Sequence, residues 1–220
     1  VSGTCWRMGT ILEKLLWNGG RQMKMNSDVE RMLKNVVKSV SDTRPVLKCA
    51  HFENGNTYVT DSHRLIRVRN SVPKGINLDI DLSDFSFPDV NYPSVDRLIA
   101  KKFSTNIRVT KSFVKTALPA IKSMRPGYNA IIEIKVNEDH LSITRKSLDT
   151  GINQSLEIGV DYFEGEPLTL SCSPNYLSEA LTSMVQFEDP SLQIGFNTPL
   201  QPFIITNSNV DYLLTPVRVF

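Results

Sequence analysis

Asp61, Ser62 and His63 stand side by side, and an acid, a hydroxyl and an imidazole are the three groups of a hydrolytic triad. Neighbours on a strand point to opposite faces, so three consecutive residues cannot meet as a relay. No nucleophile elbow surrounds Ser62, and Gly19-Gly20 lacks the lysine context of a phosphate-cradling loop. The histidines His51, His63 and His140 are scattered, and Cys5, Cys49 and Cys172 form no CxxC pair. A zinc site is therefore not expected, nor any other cofactor, nor an enzyme. Three widely spaced cysteines also argue against a disulfide framework and for a reducing, cytoplasmic compartment. Val1-Ser2-Gly3-Thr4-Cys5-Trp6-Arg7 lacks the basic-then-apolar order of a secretory signal. No stretch has the apolar length of a membrane span, so no membrane partner is expected.

The chemistry left to the charged residues is phosphate contact. The net charge is only +2, but residues 1–103 carry 16 Lys+Arg against 11 Asp+Glu, and residues 104–220 carry 9 against 12. This is too mild an imbalance to establish nucleic-acid binding in bulk. Arrangement matters more. Arg31, Lys34 and Lys38 fall at i, i+3 and i+7, opposite an apolar stripe. Lys111, Lys115 and Lys122 fall at i, i+4 and i+11, again one stripe of a helix. A lysine on an outer helix face is most often simply solvated, so the stripes alone carry little.

These stripes require helices to carry them. Hydrophobic residues make up 40% of the 220-residue chain and charged residues 22%, an ordinary globular composition. Residues 1–26 read as a leader holding one short amphipathic helix, Met8–Trp17, ended by Asn18-Gly19-Gly20. Ser27-Asp28 then caps a helix to about Ser41, with Val29, Met32, Leu33, Val36, Val37 and Val40 as its core face. Strands are expected at Val46–Glu53, Thr57–Thr60, Arg64–Asn70 and Ile76–Leu82, with a hairpin turn at Asn54-Gly55-Asn56. From Asn106 the spacing predicts a strand at Ile107–Val109 and a helix over Lys111–Met124. Phe113, Val114, Ala117, Leu118 and Ile121 face inward on that helix, and Pro119 is a kink. Strands follow at Ala130–Val136, His140–Lys146, Gln154–Val160 and Leu168–Ser171, and a helix at Ser173–Met184. Strands at Leu192–Phe196, Phe203–Thr206 and Val210–Leu214 finish the chain. The order β-α-β-β-β thus occurs twice, an internal repeat in an α+β fold with helices on one face of antiparallel sheets. The domains expected are residues 27–103 and 104–220.

That repeat resembles the DNA sliding clamp, the bacterial DNA polymerase III beta-subunit family, and particular residues make the resemblance specific. Asp211-Tyr212-Leu213-Leu214-Thr215-Pro216-Val217-Arg218-Val219-Phe220 is similar to the family's C-terminus, a strand running into a Pro-x-Arg-aliphatic tail. Thr198-Pro199-Leu200-Gln201-Pro202-Phe203-Ile204-Ile205 is similar to its proline-bracketed turn and last hairpin, and Asn175-Tyr176-Leu177 to the helix start ahead of it. Val59-Thr60-Asp61-Ser62-His63-Arg64-Leu65 resembles the family's Thr-Asp-Gly-His-Arg-Leu motif, with Ser62 in place of glycine. Phe87-Pro88-Asp89-Val90 resembles the Phe-Pro-Asp-Tyr that closes the family's middle domain. Only Val72–Ser86 lies between those two motifs, so the resemblance spans about one and a half modules. It suggests a short, phage- or plasmid-type member.

The resemblance implies a tethering protein. Partner proteins of the family, DNA polymerase among them, insert a short peptide with a Gln-x-x-Leu-Phe-type anchor between the middle and last domains. Carried over, that pocket uses His63, Arg64, Leu65, Tyr176, Pro199, Leu213, Leu214, Pro216, Val217 and Arg218. Leu213, Leu214 and Val217 could equally be plain core of a strand. Helices line the central hole of the family's rings, so Arg31, Lys34, Lys38, Lys111, Lys115 and Lys122 would contact double-stranded DNA through its phosphates without reading bases. A homo-oligomer is implied. Two alternatives stay open: a clamp mimic that binds clamp partners or a host clamp without encircling DNA, and an enzyme built on the scaffold.

Overall fold

The computed structural model describes residues 17–18, 21–22, 27–127, 130–146 and 153–219. The helix expected over Met8–Trp17 lies outside these residues, except that Trp17 pairs with Gln22 where β1 (Trp17–Asn18) meets β2 (Arg21–Gln22). The chain divides into two compact units. One runs up to Ser62 and resumes over Ile66–Ser94; the other takes His63–Leu65 and Val95–Phe220.

In the first unit, α1 (Ser27–Val37) buries Val29, Met32, Leu33, Val36 and Val37 on one face, as their spacing requires. It stops four residues short of the expected Ser41. Ser39 and Val40 donate their N–H groups to the carbonyls of Val36 and Val37, and the Ser39 hydroxyl donates to Val36 at 2.6 Å. These three-residue closures tighten the chain out of the α-helix. The strand expected from Val46 begins later because Pro45 opens a 3₁₀ turn, Pro45–Lys48. β3 (Cys49–Glu53) and β4 (Asn56–Thr60) form a hairpin closed by Asn54 at φ 51° and Gly55 at φ 85°. Positive φ at both turn residues matches the right-handed twist of the strands. β5 (Arg64–Val68) and β6 (Leu78–Asp81) complete the order β6-β3-β4-β5. His51 and Asp79, facing across β3 and β6, are joined at 2.8 Å, and His51 stacks on Tyr92 at 4.8 Å.

The second unit carries the repeat. Its elements are β7 (Thr105–Thr110), α2 (Lys111–Ser123), β8 (Ile132–Val136), β9 (His140–Lys146) and β10 (Asn153–Gly159). Then follow β11 (Tyr162–Glu164), β12 (Leu168–Cys172), α3 (Pro174–Met184), β13 (Ser191–Phe196), β14 (Phe203–Thr206) and β15 (Val210–Leu214). The lead strand of each repeat joins the meander of the other. β7 pairs antiparallel with β13, Thr105 opposite Phe196, and β12 pairs antiparallel with β8, Leu168 opposite Val136. Two sheets result, β10-β9-β8-β12 and β11-β7-β13-β14-β15, so neither repeat can complete its sheet alone. Ile121, Met184, Ile132, Ile134, Ile143, Phe196, Phe203 and Tyr212 fill the core. Burying each such side chain contributes roughly 1.5–3 kcal/mol. Gly195 is required by packing, since a Cβ there would lie 2.5 Å from the Phe103 ring.

The two repeats match in detail. After β10, Asp161 N–H donates to the carbonyl of Arg108 in β7 at 2.8 Å, and β11 follows. After β15, Val217 N–H donates to the carbonyl of Ser171 in β12 at 2.7 Å. Arg108 and Ser171 are each the fourth residue of their strand. The tail is therefore the second repeat's counterpart of β11. Likewise Phe113 and Tyr176 are each the third residue of their helix. Phe113, expected to face inward, is half exposed, for it lies at the margin of the buried stripe over Gly159, which offers no side chain. Pro119 does not end α2; it sits exposed on the outer face, where its missing N–H breaks one bond of the ladder only.

Candidate functional site

His63, Arg64 and Leu65 enter the second unit after a tight bend at Ser62, whose φ of 78° is left-handed. The serine that replaces the family's glycine thus takes the conformation that glycine favours. Its N–H donates to Thr60 Oγ1 at 3.2 Å, and its Oγ accepts from Arg44 Nη1 at 3.0 Å. The bend delivers the His63 ring to Tyr176, stacked at 5.7 Å with 19° between planes. Arg64 is buried, and its Cζ lies 5.0 Å from the centroid of the same tyrosine ring. Tyr176 reaches this point because Pro174 starts α3 and one turn of helix turns the third residue outward.

The tail borders the same place. Thr215 N–H donates to the His63 carbonyl at 2.9 Å, and Val217 N–H is held by Ser171. Pro216 and Val217 are half-buried, while His63 and Arg218 are exposed. Leu65, Leu213 and Leu214 are core residues, 3%, 4% and 1% exposed, because β15 is covered on both faces. Pro199 is exposed on the Thr198–Gln201 turn beside exposed Leu200. Of the ten residues expected, His63, Arg64 and Tyr176 are in mutual contact with the tail bonded alongside, and the three leucines are buried.

Four side chains that the sequence did not single out for this site complete it. Glu179 pairs with Arg64 and, at 3.7 Å, with Arg125. Arg125 Nε donates to Asn175 Oδ1 at 2.7 Å, and Arg64 Nη1 donates to Tyr212 Oη at 3.2 Å. Glu179 follows Tyr176 by three positions, a helical-face signal, but its arginine partners are distant in sequence.

The basic residues are less uniform than their spacing suggested. Arg31 pairs with Asp28 at 2.5 Å, and Lys34 pairs with Glu30 at 2.6 Å. Lys111 donates to the Phe187 carbonyl at 2.5 Å and is half-buried. Lys38, Lys115 and Lys122 are exposed. Elsewhere in the second unit a groove of about 500 Å³ crosses the outer face of β11, β7, β13 and β14, lined by Phe103, Asn106, Arg108, Tyr162 and Gln193. It contains none of the expected residues. No group of three His, Cys, Asp or Glu among the described residues is placed to hold a metal ion. Among the described residues no helix is long and apolar enough to cross a membrane.

Residues 96–218, which include α2, α3 and the tail, match the family described as DNA polymerase III beta subunit, C-terminal domain. The chain belongs to this family. Among sliding-clamp relatives, the Beta sliding clamp of Streptococcus pneumoniae is 25% identical over 243 aligned positions, covering 86% of this chain and 63% of the relative. That of Bacillus subtilis is 31% identical over 137 positions, 60% of this chain and 35% of the relative. The chain therefore spans less than two thirds of the length of these beta subunits. The crystal structure of the Bacillus subtilis sliding clamp superposes with a TM-score of 0.71 at 24% identity over 87% of this chain and 62% of that one. A Thermotoga maritima beta subunit gives 0.72 at 16% identity over 88% and 64%. The likeness to these structures is one of fold, the antiparallel α+β architecture of the clamps.

Proposed function

We propose that this protein is a sliding-clamp-type processivity and tethering factor. It takes short partner peptides against His63, Tyr176 and the Pro216–Arg218 tail, and it touches double-stranded DNA without reading bases. Its partners are a DNA polymerase or other proteins bearing a clamp-binding motif, its role is not enzymatic, and it works as a cytoplasmic homo-oligomer. The observation that carries this reading is the meeting, inside one compact unit, of His63 and Arg64 with Tyr176 and the tail. Exposed His63 stacked on half-buried Tyr176, with half-buried Pro216 and Val217 and exposed Arg218 in the tail bonded alongside, makes a small apolar wall with a few fixed polar groups, which suits an anchor residue.

DNA contact rests on Lys38, Lys115 and Lys122, which are exposed, more than on Arg31, Lys34 and Lys111, which have protein partners. That pairing favours a second reading, a modulator that binds partner peptides or a host clamp without encircling DNA. Mass in solution with and without duplex DNA separates the two. The peptide site itself is tested by removing Val217–Phe220. Among the described residues the trimming removes one backbone bond, Val217 to Ser171, worth about 1 kcal/mol, so the melting temperature should move by a few degrees, about 2–4 °C, with the fold kept. Saturable binding of a labelled Gln-x-x-Leu-Phe peptide should vanish. A trimmed chain that binds as tightly as the full one contradicts the site.

A further inference from the structure

Four strands of the second unit set one row of side chains across the outer face of their sheet. Tyr162 lies opposite Arg108, Arg108 opposite Gln193, and Gln193 opposite Thr206. Residues opposite each other on neighbouring strands share a face. This row lines the groove of about 500 Å³. One row over, Gly195 lies opposite Ile204, and the Phe103 ring fills the space that a Cβ at Gly195 would need. The groove thus has an apolar part, Phe103 over Gly195 beside Ile204, and a polar part, Arg108 with the amide of Gln193.

Its charges name the occupant. Arg108 is exposed, with its Cζ 5.5 Å from the centroid of the Tyr162 ring. A ring face attracts a guanidinium but accepts from none of its in-plane N–H donors. Among the described residues Arg108 has no carboxylate partner. The carboxylate in the lining, Glu164, accepts from Tyr162 Oη at 3.2 Å instead. Lys101 and Lys102, immediately ahead of Phe103, are also exposed and without a carboxylate partner among the described residues. A guanidinium laid against a ring keeps its planar fork ready for a carboxylate.

We propose that this groove is a second docking surface, separate from the site at His63 and Tyr176, and that it takes an acidic, extended segment of a partner protein. One carboxylate of the segment meets Arg108 and Gln193, an apolar side chain lies on Phe103 and Ile204, and further acid faces Lys101 and Lys102. A volume of about 500 Å³ suits a few side chains. Phosphate would also satisfy Arg108, but Asp161, Glu164 and Glu166 stand exposed along the β11 side. They repel a continuous phosphate backbone and leave room for a single carboxylate.

The test uses the full chain and two labelled peptides, Asp-Glu-Ile-Glu-Asp and its amide counterpart Asn-Gln-Ile-Gln-Asn, read by fluorescence anisotropy at low salt. The acidic peptide should bind saturably and the amide peptide about tenfold more weakly. Arg108→Ala should weaken the acidic peptide about tenfold. Gln193→Glu sets a carboxylate beside Arg108 and should do the same, which keeps the test standing if Arg108→Ala does not fold. Lys101 and Lys102 changed together to Ala should weaken it about threefold. Lys115 and Lys122 changed together to Ala, on a helix away from the groove, should leave it unchanged. No saturable binding of the acidic peptide, or equal binding of the two peptides, overturns the proposal. Unchanged affinity in any of the three groove variants does so too, as does an equal loss in the Lys115 and Lys122 variant. Displacement of the acidic peptide by oligothymidylate at a lower concentration than by the unlabelled peptide would assign the groove to nucleic acid and also overturn it.

Discussion

Ser62 offers a direct measure of what the bend into the site costs. Its φ of 78° is a left-handed conformation, which costs an L-residue about 1–2 kcal/mol. Ser62→Gly removes that strain but gives the unfolded chain more freedom, returning about 0.5–1 kcal/mol. The hydroxyl also accepts from Arg44, but both groups are exposed and the bond contributes little. Ser62→Ala is the matched control, for it loses the same hydroxyl and keeps the strain. The N–H bond to Thr60 survives in both variants. The glycine variant should therefore exceed the alanine variant by about 1 kcal/mol, about 2–4 °C in melting temperature for a chain of this size. Thermal unfolding followed by circular dichroism reads the difference. A glycine variant no more stable than the alanine variant refutes the strain argument.

Changing Lys115 and Lys122 together to alanine should lower DNA association and make the slope of log affinity against log salt shallower by about 2, since about one counterion is released per phosphate contact. An unchanged slope in a salt titration removes this face from DNA binding. Arg64→Ala should destabilise the chain by about 2–4 kcal/mol in urea unfolding, because a buried partner of Glu179 and Tyr212 is lost; a loss under about 1 kcal/mol would mean that the pair is not structural. Burial pushes the Cys49 thiol from its ordinary value near 9 up to about 11, and the Cys172 thiol upward as well. Between pH 9 and 11 the unfolded chain thus binds fewer protons than the folded one, so these thiols make stability fall as pH rises through that window. A thiol reagent at pH 8 should modify both only on unfolding, and prompt labelling of the folded chain would count against their burial.

Much of the second unit was legible because its elements carry strong local patterns. His140–Lys146, Phe203–Thr206 and Val210–Leu214 are strands with the bounds their alternation gives, and α2 ends one residue from its expected limit. β11 was not legible. Tyr162–Glu164 is three residues with no alternation, and it is a strand only because β7 offers an open edge more than fifty residues earlier. The exchange of lead strands between repeats is equally invisible, being a long-range choice that both sheets make together. Local chemistry outside the hydrophobic pattern moved the boundaries in the first unit, where Ser39 closed α1 early and Pro45 delayed β3. At the site, His63 and Tyr176 were readable through motifs. The Arg64–Glu179 pair joins positions 115 apart in sequence, so no local pattern could announce it. Leu213 and Leu214 were ambiguous from sequence because an edge strand and a doubly covered strand carry the same apolar run.

The central claim is that a partner peptide docks where His63, Tyr176 and the tail meet. Amide chemical-shift mapping of the full chain during titration with a Gln-x-x-Leu-Phe peptide tests it most directly. Saturable shifts should cluster at His63–Leu65, Pro174's neighbours Asn175 and Tyr176, and Thr215–Val219, whose backbone or side chains form the wall. Shifts confined to the groove around Phe103 and Tyr162, or none at all at saturating peptide, would contradict it.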